Sequence, residues 1–432
     1  MWNNNRWKTT LLNVFLSLLI LAILGGLGYY MLQVRRETRE HDEQLAELYV
    51  QQQQQQTEVR QESVTSIQEA YDRDMAAVRE YLPGIVCWGD SLTLGSSGNI
   101  SYPSVLKTYL ETYFTDIYDF RSTVPNAEDF ARLDWDDYKV SVPVVNMGAG
   151  AEDSYTVLGR SGAVPFVLAE DVTIPAEPEP VEVKLVSDGG QKVTPLTGGS
   201  AGVNPVYIGE VEGTLSLVAG SSASKNKYYF TRSEAGEETD MVKGTLIETQ
   251  ATYEYTDYIH VVCIGTYGTF KKPAELVNQV KELLSRQTGN ADRFIVLGPC
   301  AINGQEFSAR SMNAIDTAMM QAFGSRYINV RKYLIGDGLR DAGISPTKKD
   351  NAAIKAGKVP VSFLVTEKGM ELNGRAYTLI GKLVYERMES LGYFDEVFDE
   401  LQIRDTTLRI LKDDPTYFER ILKNRQIGRA HV

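Results

Sequence analysis

The chain has 432 residues, a formal charge of −13 and three histidines, with 43% hydrophobic residues. It is long enough for two or three compact units with a sizeable core. The acidic balance excludes nucleic acid or anionic lipid as the main partner, and three cysteines without metal-ligand spacing give no zinc motif and no implied cofactor.

In chain order, Leu11 to Leu32 is an apolar run broken mainly by Asn13 and Ser17. It is long enough to cross about 30 Å of hydrocarbon, and too long for the core of a signal peptide. Residues 1–36 are therefore expected to form a short tail and a transmembrane helix. Arg6 and Lys8 before the run face Arg35, Arg36 and Arg39 after it, so flanking charge does not choose an orientation. Residues 37–83, rich in Gln, Glu, Arg and Ala and closed by Pro83, read as a helical stalk of roughly 70 Å. Val64, Ile67, Tyr71, Met75, Val78 and Leu82 recur at threes and fours, a seam through which copies of the chain can pair as a homo-oligomeric coiled coil.

Gly84 to Gly95 (Gly-Ile-Val-Cys-Trp-Gly-Asp-Ser-Leu-Thr-Leu-Gly) reads as a buried strand opening into a glycine-flanked turn. That turn lifts Ser91 out of the strand end as a candidate nucleophile; the plainer alternative is an ordinary strand-to-loop serine. A second apolar strand opens into small residues at Val144 to Glu152. Short alternating runs at 181–186, 206–208, 213–218 and 227–230 predict an antiparallel β unit inserted over 165–250. Within it, Tyr228, Tyr229 and Phe230 are either core aromatics or a sugar-stacking surface.

A third apolar strand over 258–264 runs into Gly265-Thr266-Tyr267-Gly268. Helical and strand patterns then alternate: a helix face through Leu276, Val277, Val280, Leu283 and Leu284, a strand at 294–297, a helix holding Met319 and Phe323, and a strand at 327–330. Such alternation predicts a parallel sheet covered on both faces. Gly336 to Pro360 is expected to be a loop over the carboxyl edge of that sheet. Lys368-Gly369-Met370-Glu371-Leu372-Asn373 precedes an amphipathic helix through Met388, and residues 396–426 form a further helical extension. Residues 427–432 (Ile-Gly-Arg-Ala-His-Val) resemble a translated sequencing adapter, which leaves the true C-terminus open.

Taken together, Gly89-Asp90-Ser91-Leu92, Asn146-Met147-Gly148-Ala149-Gly150-Ala151, Gly265-Thr266-Tyr267-Gly268 and the segment around Glu371 resemble, in order, the motifs of the SGNH/GDSL hydrolases, a family of α/β esterases and acyl hydrolases. The resemblance covers residues 84–395. It implies a three-layer, parallel-sheet, flavodoxin-like domain interrupted by the antiparallel β unit and preceded by the transmembrane helix and stalk. It also implies Ser91 as nucleophile, with its own N–H and that of Ala151 as oxyanion donors. The chain departs from the family pattern at four positions. Ala151 stands where the family places glycine, Tyr267 where it places the oxyanion asparagine, Lys368 where it places aspartate and Glu371 where it places the histidine base.

No histidine takes over that last role. His41 falls in the stalk, His431 in the closing segment, and His260 at the entrance of its strand, about 16 Å by strand rise from the end where such sites form. Losing a triad member costs on the order of 10⁴-fold in turnover, and losing an oxyanion donor about 10² to 10³. Three functional expectations stand: an extracytoplasmic, membrane-anchored and catalytically impaired module binding cell-envelope glycan; an active serine esterase using Glu371 as base, for acylated polysaccharide or lipid; or a structural stalk protein. An exported hydrolase class implies a cytoplasmic N-terminus. Cys87, Cys263 and Cys300 are expected to be core thiols, a Cys87–Cys263 disulfide being the alternative on neighbouring strands.

Overall fold

A computed structural model describes residues 6–95, 100–117, 142–222, 225–289, 292–301 and 308–400. The segments expected to form the rest of the C-terminal helix and the adapter-like end lie outside these residues, as does His431. The chain divides into two units: of the described residues, those up to 70 fall in one and those from 71 onward in the other.

The apolar run and the stalk are one uninterrupted helix, α1 (Arg6–Tyr81), rather than two elements. The glutamine tract 51–56 does not break it, because glutamine is a good helix former with no competing backbone bond. Arg36–Glu40 and Arg39–Glu43 ion pairs at i,i+4 add small support along the exposed surface. Residues Lys8–Val59 of α1 contain a stretch long and apolar enough to cross a membrane, with a mean hydropathy of 2.4. Of the expected seam, the side chains of Val64, Ile67, Tyr71 and Met75 lie outside the described residues. Val78 and Leu82 are buried in the second unit.

In that unit, strands β1 (Ile85–Gly89) and β2 (Val144–Gly148) come first. Nine short strands follow: β3 (Phe166–Leu168), β4 (Val172–Ile174), β5 (Val181–Val183), β6 (Leu185–Ser187), β7 (Val206–Ile208), β8 (Val211–Val218), β9 (Lys227–Arg232), β10 (Thr239–Met241) and β11 (Leu246–Thr249). The chain closes with β12 (Ile259–Cys263), β13 (Phe294–Leu297) and β14 (Tyr327–Ile328).

Strands β14-β13-β12-β1-β2 form a five-stranded sheet whose neighbours all run parallel. Counted along the chain within that sheet the order is 2-1-3-4-5. Its direction of winding switches between β1 and β12, and the carboxyl ends of these strands border the crevice where such sheets place ligands. Val86, Trp88, Val262 and Val296 point to one face, packed with Val157, Leu276, Val280, Leu283, Met312, Ile315 and Met319 from the helices 154–160, 273–284 and 309–323. Each fully buried aliphatic or aromatic side chain contributes about 1.5–3 kcal/mol. The helices Tyr102–Ile117 and Gly374–Ser390 pack on each other, and Tyr102 reaches Cys87 on β1.

The seven-stranded sheet β5-β9-β8-β7-β11-β3-β6 is antiparallel throughout. Its core alternates along the strands, through Phe166 and Leu168, Val206 and Ile208, Tyr228 and Phe230, and Ile247. Tyr228 and Phe230 are thus core residues, whereas Tyr229, on the alternate face, is half-buried.

The expected loop 336–360 is instead largely helical. A π-helical turn over 334–338 leads into Leu339–Asp341, and Lys348–Lys355 is an α-helix. Thr347 and Asp350 cap that helix reciprocally, a start signal outweighing the glycine- and lysine-rich composition. Four hydrogen-bond donations hold the Asp350 carboxylate at a pKa of about 2 against the opposing effect of its burial. The expected strand 327–330 ends at Ile328, because Asn329 caps the next helical turn.

Candidate active site

Ser91 opens a four-residue helix, Ser91–Leu94, directly after β1. A Cβ on Gly89 would lie 2.1 Å from Thr93 Oγ1, and one on Gly148 would lie 2.1 Å from Leu94 N. Only glycine at both strand ends lets this turn settle between β1 and β2. Asp90 caps it, one carboxylate oxygen accepting from Leu92 N at 3.0 Å and the other from Thr266 N at 3.1 Å. The aspartate of the Gly-Asp-Ser-Leu motif therefore ties the end of β1 to the turn after β12. Burial pushes its pKa up to about 6 despite these bonds. Asn146 makes the matching tie on β2: it accepts from Gly148 N at 2.9 Å and donates to Leu94 O at 3.3 Å.

Ser91 Oγ accepts a hydrogen bond from Ala151 N at 2.9 Å and shares another with the Tyr267 hydroxyl at 2.9 Å. The structure thus brings together Ser91, Ala151 and Tyr267. The extra length of tyrosine over asparagine puts its hydroxyl on the serine itself. Ala151 adopts φ 57°, a left-handed conformation that costs a non-glycine residue about 1–2 kcal/mol.

Three contacts hold that turn. Gly150 N donates to Gly198 O of the inserted segment at 3.0 Å. Asp153 caps the helix Ser154–Arg160, accepting from Thr156 N. Glu152, next to Ala151, accepts from Arg160 Nε at 2.7 Å, with both side chains fully buried. Arg160 also donates to Ala201 O at 2.8 Å and Met147 O at 3.0 Å, and lies 5.9 Å from the Trp88 ring centroid. Burial raises the Glu152 pKa, and the adjacent guanidinium opposes the rise. Residue patterning does not single out this pair, because it spans eight positions and a helix start. Its only signals are a charged residue directly after the small-residue turn and another at the end of the helix that follows.

The segment at the other wall is tied at its base by Asn373. That side chain accepts from Arg375 N and Ala376 N and donates to Ser362 O at 2.9 Å. Val365 N bonds Glu371 O, and Leu364 bridges Leu372. Glu371 is exposed and lines the space around Ser91, whereas Lys368 is exposed and lines neither of the two pockets that meet at Ser91. One pocket is an open cleft of about 720 Å³ bordered by Ser101, Ser104, Lys107 and Asn146. The other holds about 40 Å³, bordered by Leu92, Tyr267, Met370, Leu372 and Tyr377. Among the described residues that border them, Glu371 is the sole carboxylate.

His260 pairs in register with Val86, five residues before Ser91. Its Nε2 donates to Tyr255 O at 3.0 Å, and burial lowers its pKa to about 4. It is a core histidine beside Trp88, and His41 is exposed on α1. All three cysteines are free thiols, so the disulfide alternative fails: Cys87 pairs in register with Val261, and Cys263 with Gly89. Burial raises all three thiols, Cys300 to about 12.

What the arrangement offers chemically is a serine hydroxyl held by an amide donor and a phenol, neither of which is a base. No protein-family model, curated protein or solved structure matches this chain.

Proposed function

We propose that the chain is a membrane-anchored SGNH/GDSL-hydrolase-like protein, facing outward from a cytoplasmic N-terminus, whose cleft binds ester-bearing cell-envelope glycan with little turnover. The observation that carries this reading is the bridging of Ser91 Oγ by Ala151 N–H and Tyr267 O–H at 2.9 Å each. In a working serine esterase the amide is aimed at the substrate oxyanion and the hydroxyl at a base. Here both hydrogen bonds converge on the nucleophile itself. The stretch within Lys8–Val59 that is apolar and long enough for a membrane supports the anchoring.

The second reading, an active esterase with Glu371 as base, draws on the shared place of Ser91 and Glu371 in both pocket linings. A carboxylate is a poor base towards an alcohol unless burial strengthens it, and Glu371 is exposed.

A fluorophosphonate probe separates the two. Under the binding reading it leaves the wild-type protein unlabelled while acylated glycan is still retained. The combined Lys368→Asp, Glu371→His and Tyr267→Asn variant gains labelling at Ser91 and esterase activity. Strong labelling of the wild type, lost in both Ser91→Ala and Glu371→Gln, would establish the esterase instead.

A further inference from the structure

We propose that α1 pairs lengthwise with a second copy of the chain in the same membrane, along a seam from Val34 to Gln55. The end of the stalk is not available for this. Val78 and Leu82, which close the expected 64–82 seam, are 0% exposed and belong to the core of the second unit. Ahead of it α1 runs unbroken through residues 34–55, and every side chain there is exposed. A helix in water draws most of its stability from a face packed against something else. Val34, Thr38, His41, Leu45 and Leu48, with Gln52 and Gln55 after them, recur by fours and threes, the core spacing of a two-helix coil. Eight of the 22 residues from 34 to 55 are Arg, Asp or Glu, and none of the eight falls on this seam. The Arg36–Glu40 and Arg39–Glu43 ion pairs lie on the opposite side of the helix. Thr38 donates its hydroxyl to Val34 O at 2.8 Å within its own helix, so it brings no unmet donor to the seam.

These features fit a copy of the same chain better than a foreign helix. Copies anchored in one membrane with one orientation run parallel, and symmetry sets each seam residue against itself. A permanent charge there would face a like charge, which a foreign partner could avoid by supplying the opposite one. Gln52 and Gln55 each carry an amide donor and an acceptor, and so can bond their own counterparts. One flank works against pairing, because Glu37 comes beside Asp42 of the copy. Pairing is therefore weak in free solution, and confinement to a shared membrane offsets this by raising the effective concentration.

Pairing of this kind rests on the membrane anchoring of the reading above, but on no part of its glycan binding. Flotation of the full chain with phosphatidylcholine vesicles checks the anchoring first. Single cysteines are then placed in the full chain in those vesicles and oxidised with copper phenanthroline. The native thiols stay silent because all three are buried. A disulfide needs Cα atoms within about 7 Å, so residues that face their counterparts cross-link rapidly and others do not. Leu48→Cys and Gln55→Cys are expected to form the disulfide dimer at least about tenfold faster than Glu47→Cys and Val50→Cys on the outer side. Leu45→Glu in the Gln55→Cys chain, which sets two carboxylates against each other, is expected to lower its rate to that of the outer positions. Chains that float but cross-link equally at all four positions, fastest at 47 and 50, or not at all, overturn the seam and leave the anchoring standing. A Gln55→Cys rate that Leu45→Glu leaves unchanged does the same. Failure to float overturns the anchoring and the pairing built on it.

Discussion

On the Ser91 side of the cleft each functional atom is tied into the parallel sheet, whereas on the opposite side Lys368 and Glu371 stand exposed on a segment held at its ends. The Ser91 wall depends on glycines that admit the turn, a buried aspartate joining β1 to β12, and a buried Glu152–Arg160 pair behind Ala151. Changing any of them disturbs the core. The hydrogen bonds that set the Ser91 turn come from Asp90, Ala151 and Tyr267, so its geometry does not depend on what positions 368 and 371 supply. The geometry of such a turn is evidence for a fold, and a proton acceptor must be judged by itself.

The sharpest way to break this contrast is Arg160→Met. It leaves Glu152 buried without its cation, and one unpaired buried charge costs about 3–5 kcal/mol. Removing the guanidinium also raises the folded-state pKa of Glu152 further, so the loss is expected to grow as pH rises and to shrink where the carboxyl protonates. Urea denaturation at pH 5 and pH 8 measures both. A loss below about 1 kcal/mol at pH 8 makes the Ser91 wall no stiffer than its counterpart. Gly148→Ala ranks next: its Cβ lands on Leu94 N, and a destabilisation of about 3 kcal/mol is expected in the same assay.

Asp90 gives the contrast a pH signature. Its pKa is about 6 in the folded chain and about 4 when unfolded, so the folded state holds more protons between those values. Stability from this group is full below pH 4, falls as pH rises through 6, and is flat above. The span is on the order of 3 kcal/mol. Asp90→Asn, which keeps a helix-capping acceptor, is expected to flatten that slope. A slope unchanged in the variant removes Asp90 as its source.

Strands β1 and β13 are legible in the sequence as unbroken apolar runs, and β12 as one interrupted only by His260, because strands covered on both faces are largely apolar. In the antiparallel sheet the runs at 206–208, 213–218 and 227–230 are legible by alternation. Phe166–Leu168, Thr239–Met241 and Leu246–Thr249 show no apolar–polar alternation of their own, and are specified by partners far along the chain. The helix Lys348–Lys355 hides behind a loop-like composition, since its start depends on one reciprocal cap. At the site, Ser91 is legible from the strand opening into a glycine-flanked turn, and Ala151 only from the resemblance to the hydrolase motifs. The contact of Tyr267 with Ser91 depends on the path of a turn with positive φ at Gly265 and Gly268. The buried Glu152–Arg160 pair depends on how the helix after Ala151 turns back under β1.

The smallest expected effect tests the other half of the contrast. Lys368 is exposed, lines neither pocket and occupies a turn closed by the Gly369 N to Thr366 O bond, which its side chain does not make. Lys368→Ala is therefore expected to change stability by less than about 0.5 kcal/mol, the range of ordinary surface substitutions. It is likewise expected to leave glycan binding unchanged, because no pocket wall moves. Denaturation midpoint and retention of acylated glycan read these separately. A loss above about 1 kcal/mol ties the exposed segment into the fold as firmly as the Ser91 turn. An unchanged midpoint with weakened binding instead places the lysine's charge within reach of the ligand, and extends the recognition surface beyond the cleft.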